Sequence, residues 1–342
     1  MSLFKKLQSR FLNSYKDHRF LFQHGFQKVL GKKRSPTSLP SLLALHDYDD
    51  WAIDHVFNLW FGGDPGVRIT RANWDQCATT RAFAPFDCVL FGYYDMLLRF
   101  GYAPERSMVV IHDPCEIFPQ AADWKRLPPL EGRLEKLKSL RAVIVISQEM
   151  EEILTGLGVR CFRIPTMSRL EALLPDTPHP IKDPSGEGMM QSISVYRNYP
   201  RKNAPLLQKL RQHGVAGGLW NLQLQTGGYL DAARYTEMLD QFPVYVCSSW
   251  QEGGPLPVMD ALARGALPVM TRVGQIPEFL SHGETVFFCD GEAEFIESLD
   301  SLAKNPELLI SMRTKAHSAY LRARDPKSIR ERVRSVFREI LG

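Results

Sequence analysis

Residues 246–280 read VCSSWQEGGPLPVMDALARGALPVMTRVGQIPEFL, and this stretch decides the fold. An apolar run, 244–247, ends in the polar loop Ser248-Ser249-Trp250-Gln251-Glu252-Gly253-Gly254. Pro255 and Pro257 then lead into the apolar stretch 258–264, and proline suits the first turn of a helix. A second apolar run, 267–270, follows Gly265. Strand, glycine-bearing turn, helix and strand is the repeating unit of a doubly wound sheet. The glycines let backbone N–H groups approach a ligand closely, and the helix N-terminus behind them favours negative charge. Glu252 and Asp260 stand about two helical turns apart, a spacing that suits opposite ends of one elongated polar ligand. The same residues also suit a purely structural turn followed by a helix-capping acid.

The alternation extends outward from this unit. Upstream, short apolar runs at 42–45, 67–70, 88–91, 108–111, 142–146 and 159–164 read as buried strands. Helical patterns run to about residue 60 and over 148–157, the second closed by Gly158. Runs at 193–195, 220–224, 244–247, 267–270 and 286–289 alternate with helical patterns near 204–212, 230–239, 258–264, 293–304 and 306–319. A last amphipathic segment, 327–341, places Val333, Val336, Phe337 and Ile340 on one stripe. Between the halves lies 175–188, PDTPHPIKDPSGEG, whose four prolines and two glycines mark a linker. The expected fold class is α/β, two doubly wound domains with the ligand cleft between them, outside the carboxyl ends of the strands.

Composition narrows the class. Of 342 residues, 44% are hydrophobic and 23% charged, which excludes a disordered chain. No run of apolar residues is long enough to span a bilayer, and the N-terminus does not read as a secretory signal. Six scattered cysteines show no metal-ligand spacing, so core thiols and a reducing, cytoplasmic setting are expected. Residues 1–34 hold nine basic side chains against one acid, leaving 33 basic and 37 acidic side chains for the rest. In that arm Phe4, Leu7, Phe11, Tyr15, Phe22, Phe26 and Val29 recur at helical spacing. A basic amphipathic helix of this kind fits an anionic membrane surface. Packing on the protein's own body or on a second subunit, or contact with nucleic acid, are the competing readings.

Segment 246–280 resembles the signature of the family 4 glycosyltransferases of the GT-B fold. Ser249, Glu252, Gly253, Pro255, Ala261, Gly265 and Glu278 fall in its register, with Asp260 where a glutamate is usual. Val195-Tyr196-Arg197 followed by Lys202 resembles the family's Gly-Arg and Lys pair, and Val110-Ile111-His112-Asp113-Pro114 resembles its histidine element. The resemblance implies a retaining transferase that uses a nucleotide-diphosphate sugar, without a metal or other cofactor. The charge and periodicity give an arm at 1–36. The alternation and linker give two domains, 37–180 and 188–325, which the resemblance makes the acceptor and donor domains. The segment 326–342 resembles the helix that returns to the first domain.

The resemblance also implies roles. Arg197 and Lys202 would stabilise the leaving diphosphate, Glu252 would orient the sugar, and His112 would bond it from the opposite domain. Ser249, Gly253, Gly254 and Pro255 would line the donor site, with Asp260 on the ribose. Residues 40–105 match poorly, because His46-Asp47-Tyr48-Asp49 stands where the family carries two glycines. Asp47-Tyr48-Asp49 has the form of a metal-holding D-x-D element, a match that chance supplies readily. His46, Asp47 and Asp49 are therefore read as acceptor-side polar contacts or as a helix N-terminus enriched in acids. The basic arm points to a lipid-linked or envelope glycan as acceptor, with a modified DNA base as the alternative. A non-catalytic nucleotide-sugar-binding protein on the same scaffold is the other class.

Overall fold

The computed structural model describes residues 39–47, 52–63, 65–74, 77, 80–101, 103–118, 129–170, 189–196, 199–226 and 230–342. The amphipathic arm, the linker 175–188, Asp49 and Arg197 lie outside the described residues.

The first domain runs β1 (Ser41–His46), α1 (Ala52–Phe61), β2 (Arg68–Asn73), β3 (Cys88–Phe91), α2 (Tyr94–Phe100), β4 (Ser107–Ile111), α3 (Leu130–Ser139), β5 (Ala142–Val145), α4 (Gln148–Gly156) and β6 (Cys161–Arg163). Its six strands are all parallel, in the order β2-β1-β3-β4-β5-β6. Both faces are covered, so the strands are apolar throughout rather than alternating. Leu42, Ala44, Leu90, Met108, Val110 and Ile144 point to one face. Leu43, Leu45, Val89, Phe91, Val109, Val143 and Val145 point to the other. Strand β2 departs from the expected 67–70 because it is an edge: Ala72 is buried while Arg71 is exposed.

The second domain runs β7 (Met190–Tyr196), α5 (Ala204–Gly217), β8 (Trp220–Thr226), α6 (Ala232–Leu239), β9 (Val244–Cys247), α7 (Leu256–Ala263), β10 (Leu267–Met270), β11 (Phe287–Phe288), α8 (Glu292–Lys304) and α9 (Pro306–Ala323). Its parallel order is β11-β10-β9-β7-β8. In each sheet the winding reverses at one point, between β1 and β3 in the first and between β7 and β9 in the second. Loops leaving the strands on either side of a reversal diverge and open a crevice. The two crevices are formed by His46, Asp47 and the 92–93 turn in the first domain, and by residues 199–203 and 248–254 in the second.

Helix α10 (Pro326–Leu341) is capped by Asp325, which accepts from the Ser328 N–H at 2.9 Å. It crosses to the first domain and buries Ile329, Val333, Val336, Phe337 and Ile340 in the core on one face of that sheet. Phe337 is fully buried, its ring 5.6 Å from Phe61. Phe337→Ala is expected to cost about 3–5 kcal/mol, read as a lower denaturation midpoint of the whole chain. A loss below about 1 kcal/mol would show that the returning helix adds little to the first domain's core.

Candidate active site

Beyond β7 a 3-10 turn, Pro200–Lys202, is ended by Asn203 at φ 51°. It is stitched to the neighbouring loop after β9. The Ser248 hydroxyl donates to the Lys202 carbonyl at 2.9 Å, and the Trp250 N–H donates to the Arg201 carbonyl at 2.7 Å. This brings two adjacent cations onto Glu252. Lys202 Nζ bonds Oε1, and Arg201 lies 3.0 Å from Oε2. Glu252 is 4% exposed. Burial alone would raise its carboxyl, but Lys202 and Arg201 hold it below its ordinary value, with a further bond from Ser249.

The first domain closes over this cluster. Asp113, just beyond β4, accepts from the Gly253 N–H at 2.9 Å and pairs with Arg201 at 2.9 Å. Burial raises the Asp113 carboxyl even with Arg201 beside it. The turn is fixed from below by Glu116, fully wrapped in protein, which accepts from the N–H groups of His112 at 2.7 Å, Asp113 at 3.0 Å and Tyr94 at 3.0 Å. Burial pushes the Glu116 carboxyl up to about 8.

Burial takes the His112 imidazole down to about 3, so the ring is neutral at ordinary pH. It donates to the Gly92 carbonyl, while its Nε2 is buried without a hydrogen-bond partner. Its ring lies 5.3 Å from that of Tyr93, whose hydroxyl bonds Asp47. His46 Nε2 stands 4.0 Å from Asp54. The predicted acceptor-side residues His46 and Asp47 are thus set on the floor of the first crevice, and Asp47 is linked through Tyr93 to His112.

Gly253 lies directly against the first domain's backbone. A Cβ built there would sit 1.5 Å from the His112 carbonyl oxygen. At Gly254 it would meet Ile146, Thr166 and the Gln275 amide at 2.8–2.9 Å. Gln275 is fully buried, and neither polar atom of its amide has a hydrogen-bond partner among the described residues. Pro255 caps α7, as the sequence predicts.

Asp260 departs from expectation. It is fully buried, and both oxygens are taken: Oδ1 by the Ser168 hydroxyl at 2.8 Å and the Arg169 N–H at 2.9 Å, Oδ2 by the Arg169 guanidinium at 3.0 and 2.6 Å. The open carboxylate expected for a ribose is here a closed ion pair. Asp260 holds Arg169 above its ordinary value, with the guanidinium 5.2 Å from the Tyr235 ring centre. Glu278 ties the domains in the same manner, accepting from Gln148 N–H and from Arg163, each at 2.7 Å.

Residues 220–319 match the family model for Glycosyl transferases group 1. The chain has the GT-B glycosyltransferase fold. Staphylococcus aureus TarM superposes with TM-score 0.57 at 15% identity, over 73% of this chain and 55% of TarM. This chain therefore spans little more than half of that relative's length. Anabaena HepE, solved with UDP and glucose, gives TM-score 0.63 at 10% identity over 88% of this chain and 100% of HepE. Sucrose-phosphate synthase of Thermosynechococcus elongatus gives 0.60 at 12% identity, over 88% and 99%. No curated protein matches the sequence. Among the described residues no helix of this GT-B chain is long and apolar enough to cross a membrane, and no cluster of acids, histidines and cysteines is arranged to hold a metal ion.

Sequence reasoning missed Arg201, Asp113 and Arg169. Arg201 carried a signal, as a second cation directly beside Lys202. Asp113 carried one only as a member of the histidine element, and Arg169 carried none; their partners lie 140 and 91 residues away.

Proposed function

We propose that this chain is a retaining glycosyltransferase that takes a sugar from a nucleotide-diphosphate sugar and needs no metal. One observation carries the reading: Lys202 and Arg201 converge on buried Glu252 at the winding reversal of the second sheet, facing His112 and Asp113 across the cleft. Departure of a nucleoside diphosphate concentrates negative charge on its outer phosphate, and fixed cations stabilise that charge. Lys202 and Arg201 supply it, with Arg197 as a third candidate.

With the domains in contact, two cations, Lys202 and Arg201, face two carboxylates, Glu252 and Asp113. Opening the cleft carries Asp113 away with the first domain and leaves Arg201, Lys202 and Glu252 with one surplus positive charge for the diphosphate. Glu252, steadied by Ser249, then orients the sugar beside the amides of Gly253 and Gly254, with Pro255 starting the helix behind them. Neutral His112, whose other ring nitrogen donates to the Gly92 carbonyl, accepts one hydrogen bond from a sugar hydroxyl through Nε2 and takes no part as an acid. Asp260 acts through Arg169, whose outer edge meets the ribose. Closure excludes water and limits hydrolysis of the donor.

The acceptor is proposed to be a lipid-linked or envelope glycan, approached from the His46, Asp47 and Asp49 side. The basic arm 1–34 would place the enzyme on the inner membrane face. A binding protein without turnover is favoured by one feature, the closed Asp260–Arg169 pair. A panel of UDP-, GDP-, ADP- and dTDP-sugars, read by mass spectrometry for free nucleoside diphosphate, decides between them. Release from at least one donor is expected. Thermal stabilisation by a donor with no release selects the binding protein, and neither effect with any donor removes both readings.

A further inference from the structure

Outside the cleft cluster, the carboxyl ends of β9, β10 and β11 border a shallow, solvent-open cavity of about 510 Å³, lined by Trp250, Thr271, Arg272, Val273 and Asp290. That volume falls within the ordinary range for small-molecule sites. Its wall is the far side of the loop that carries Glu252. Ser249, at 2% exposed, and Glu252, at 4%, turn inward, whereas Trp250 between them is 53% exposed. Trp60 and Trp220, by contrast, are at most 1% exposed. The loop is rigid where it bears the indole, since Trp250 N–H is bonded to Arg201 and the Ser249 carbonyl accepts from the Thr271 hydroxyl.

Two unpaired charges share the cavity. The Arg272 guanidinium rests 4.2 Å from the Phe288 ring centre, a cation–π contact that fixes it without a carboxylate. The Asp290 side chain has no hydrogen-bond or ion-pair partner among the described residues, its backbone N–H alone being bonded, to Glu294. An anion would meet Asp290 and a cation would meet Arg272. A neutral ring with one apolar face and a rim of hydroxyls satisfies all three groups at once: its C–H face covers the indole, its hydroxyls donate to Asp290 and accept from Arg272. That description is a pyranose.

We propose that this cavity is a saccharide subsite in which a neutral sugar ring of the acceptor stacks on Trp250, between Arg272 and Asp290. It rests on the transferase reading and narrows its acceptor to a glycan held by the second domain as well as the first. The test is saturation-transfer difference NMR on the full chain, with maltotriose, cellotriose and chitotriose as probes and uridine and guanosine diphosphates as separate samples. Transfer to pyranose C–H protons of at least one triose is expected, reduced at least fivefold in Trp250→Ala and in Asp290→Ala. Both positions are exposed, and circular dichroism of each variant confirms that it is folded. No transfer to any triose, or undiminished transfer in both folded variants, overturns the proposal. Nucleotide signals that persist in that case leave the transferase reading standing. Triose signals without nucleotide signals overturn the donor assignment alone.

Discussion

Lys202→Ala is expected to lower nucleoside diphosphate release from the preferred donor by roughly 100- to 1,000-fold, the usual cost of removing one fixed charge-stabilising donor. The loss should fall mainly on kcat, because the charge that Lys202 meets is greatest as the diphosphate departs. Glu252→Gln should be as damaging for a different reason. It leaves Lys202 and Arg201 side by side, each 15% exposed, with no carboxylate between them other than Asp113. Breaking a buried pair in this way costs about 3–5 kcal/mol. If cations and carboxylate work as a unit, the double variant is no slower than the worse single one. Additive losses would mean that Lys202 and Glu252 act on separate parts of the donor.

The pH dependence follows from the same cluster. Glu252 is held below its unfolded value, so the stability it contributes is present above about pH 4.3. That contribution is lost as pH falls through the lower folded value. Acid unfolding of Glu252→Gln should lack this part of the slope. Wild-type and variant acid curves of the same steepness would separate Glu252 from the acid limb.

What could be read in advance follows from how far apart in the chain the cause of each feature lies. Strands β1, β3, β4 and β5 announced themselves because burial on both faces demands an unbroken apolar run of four or five residues. The Glu252 loop announced itself because strand, glycine pair, proline and helix are consecutive. Helices α2 and α3 did not. Helix α2 is only Tyr94–Phe100, and α3 (Leu130–Ser139) buries little beyond Arg133 and Leu137, so neither displays a full apolar stripe. Strand β11 is two residues long, Phe287–Phe288, inside the apolar run 286–289, because only Val269 and Met270 lie alongside it. The polar architecture was least legible. Asp260 looked like an open carboxylate until Ser168 and Arg169 arrived from before the linker, and nothing near Asp113 in the chain hints at Gly253.

Gly253→Ala places an added methyl group against backbone of the opposite domain. At Gly254 the added Cβ would press on the γ-methyls of Ile146 and Thr166 at 2.8 Å and on the Gln275 amide at 2.9 Å, buried side-chain atoms whose overpacking costs about 1–3 kcal/mol. At Gly253 the obstacle is the His112 backbone oxygen at 1.5 Å. That oxygen cannot give way, because the His112 and Asp113 N–H groups are both pinned to Glu116. The loop itself must retreat, and the Asp113 bond to the Gly253 N–H goes with it. Since a carbon and an oxygen need about 3.3 Å, the retreat approaches 2 Å, far beyond the misplacement at which catalysis loses 100-fold. Gly253→Ala should therefore abolish measurable transfer, while Gly254→Ala keeps a tenth or more of it. Nucleoside diphosphate affinity separates causes, since Lys202 and Arg201 belong to the second domain and remain in place. A Gly253→Ala protein that binds the diphosphate normally but does not turn over fixes the fault in closure. Full activity in that variant would mean that the two domains never meet at His112 during the reaction.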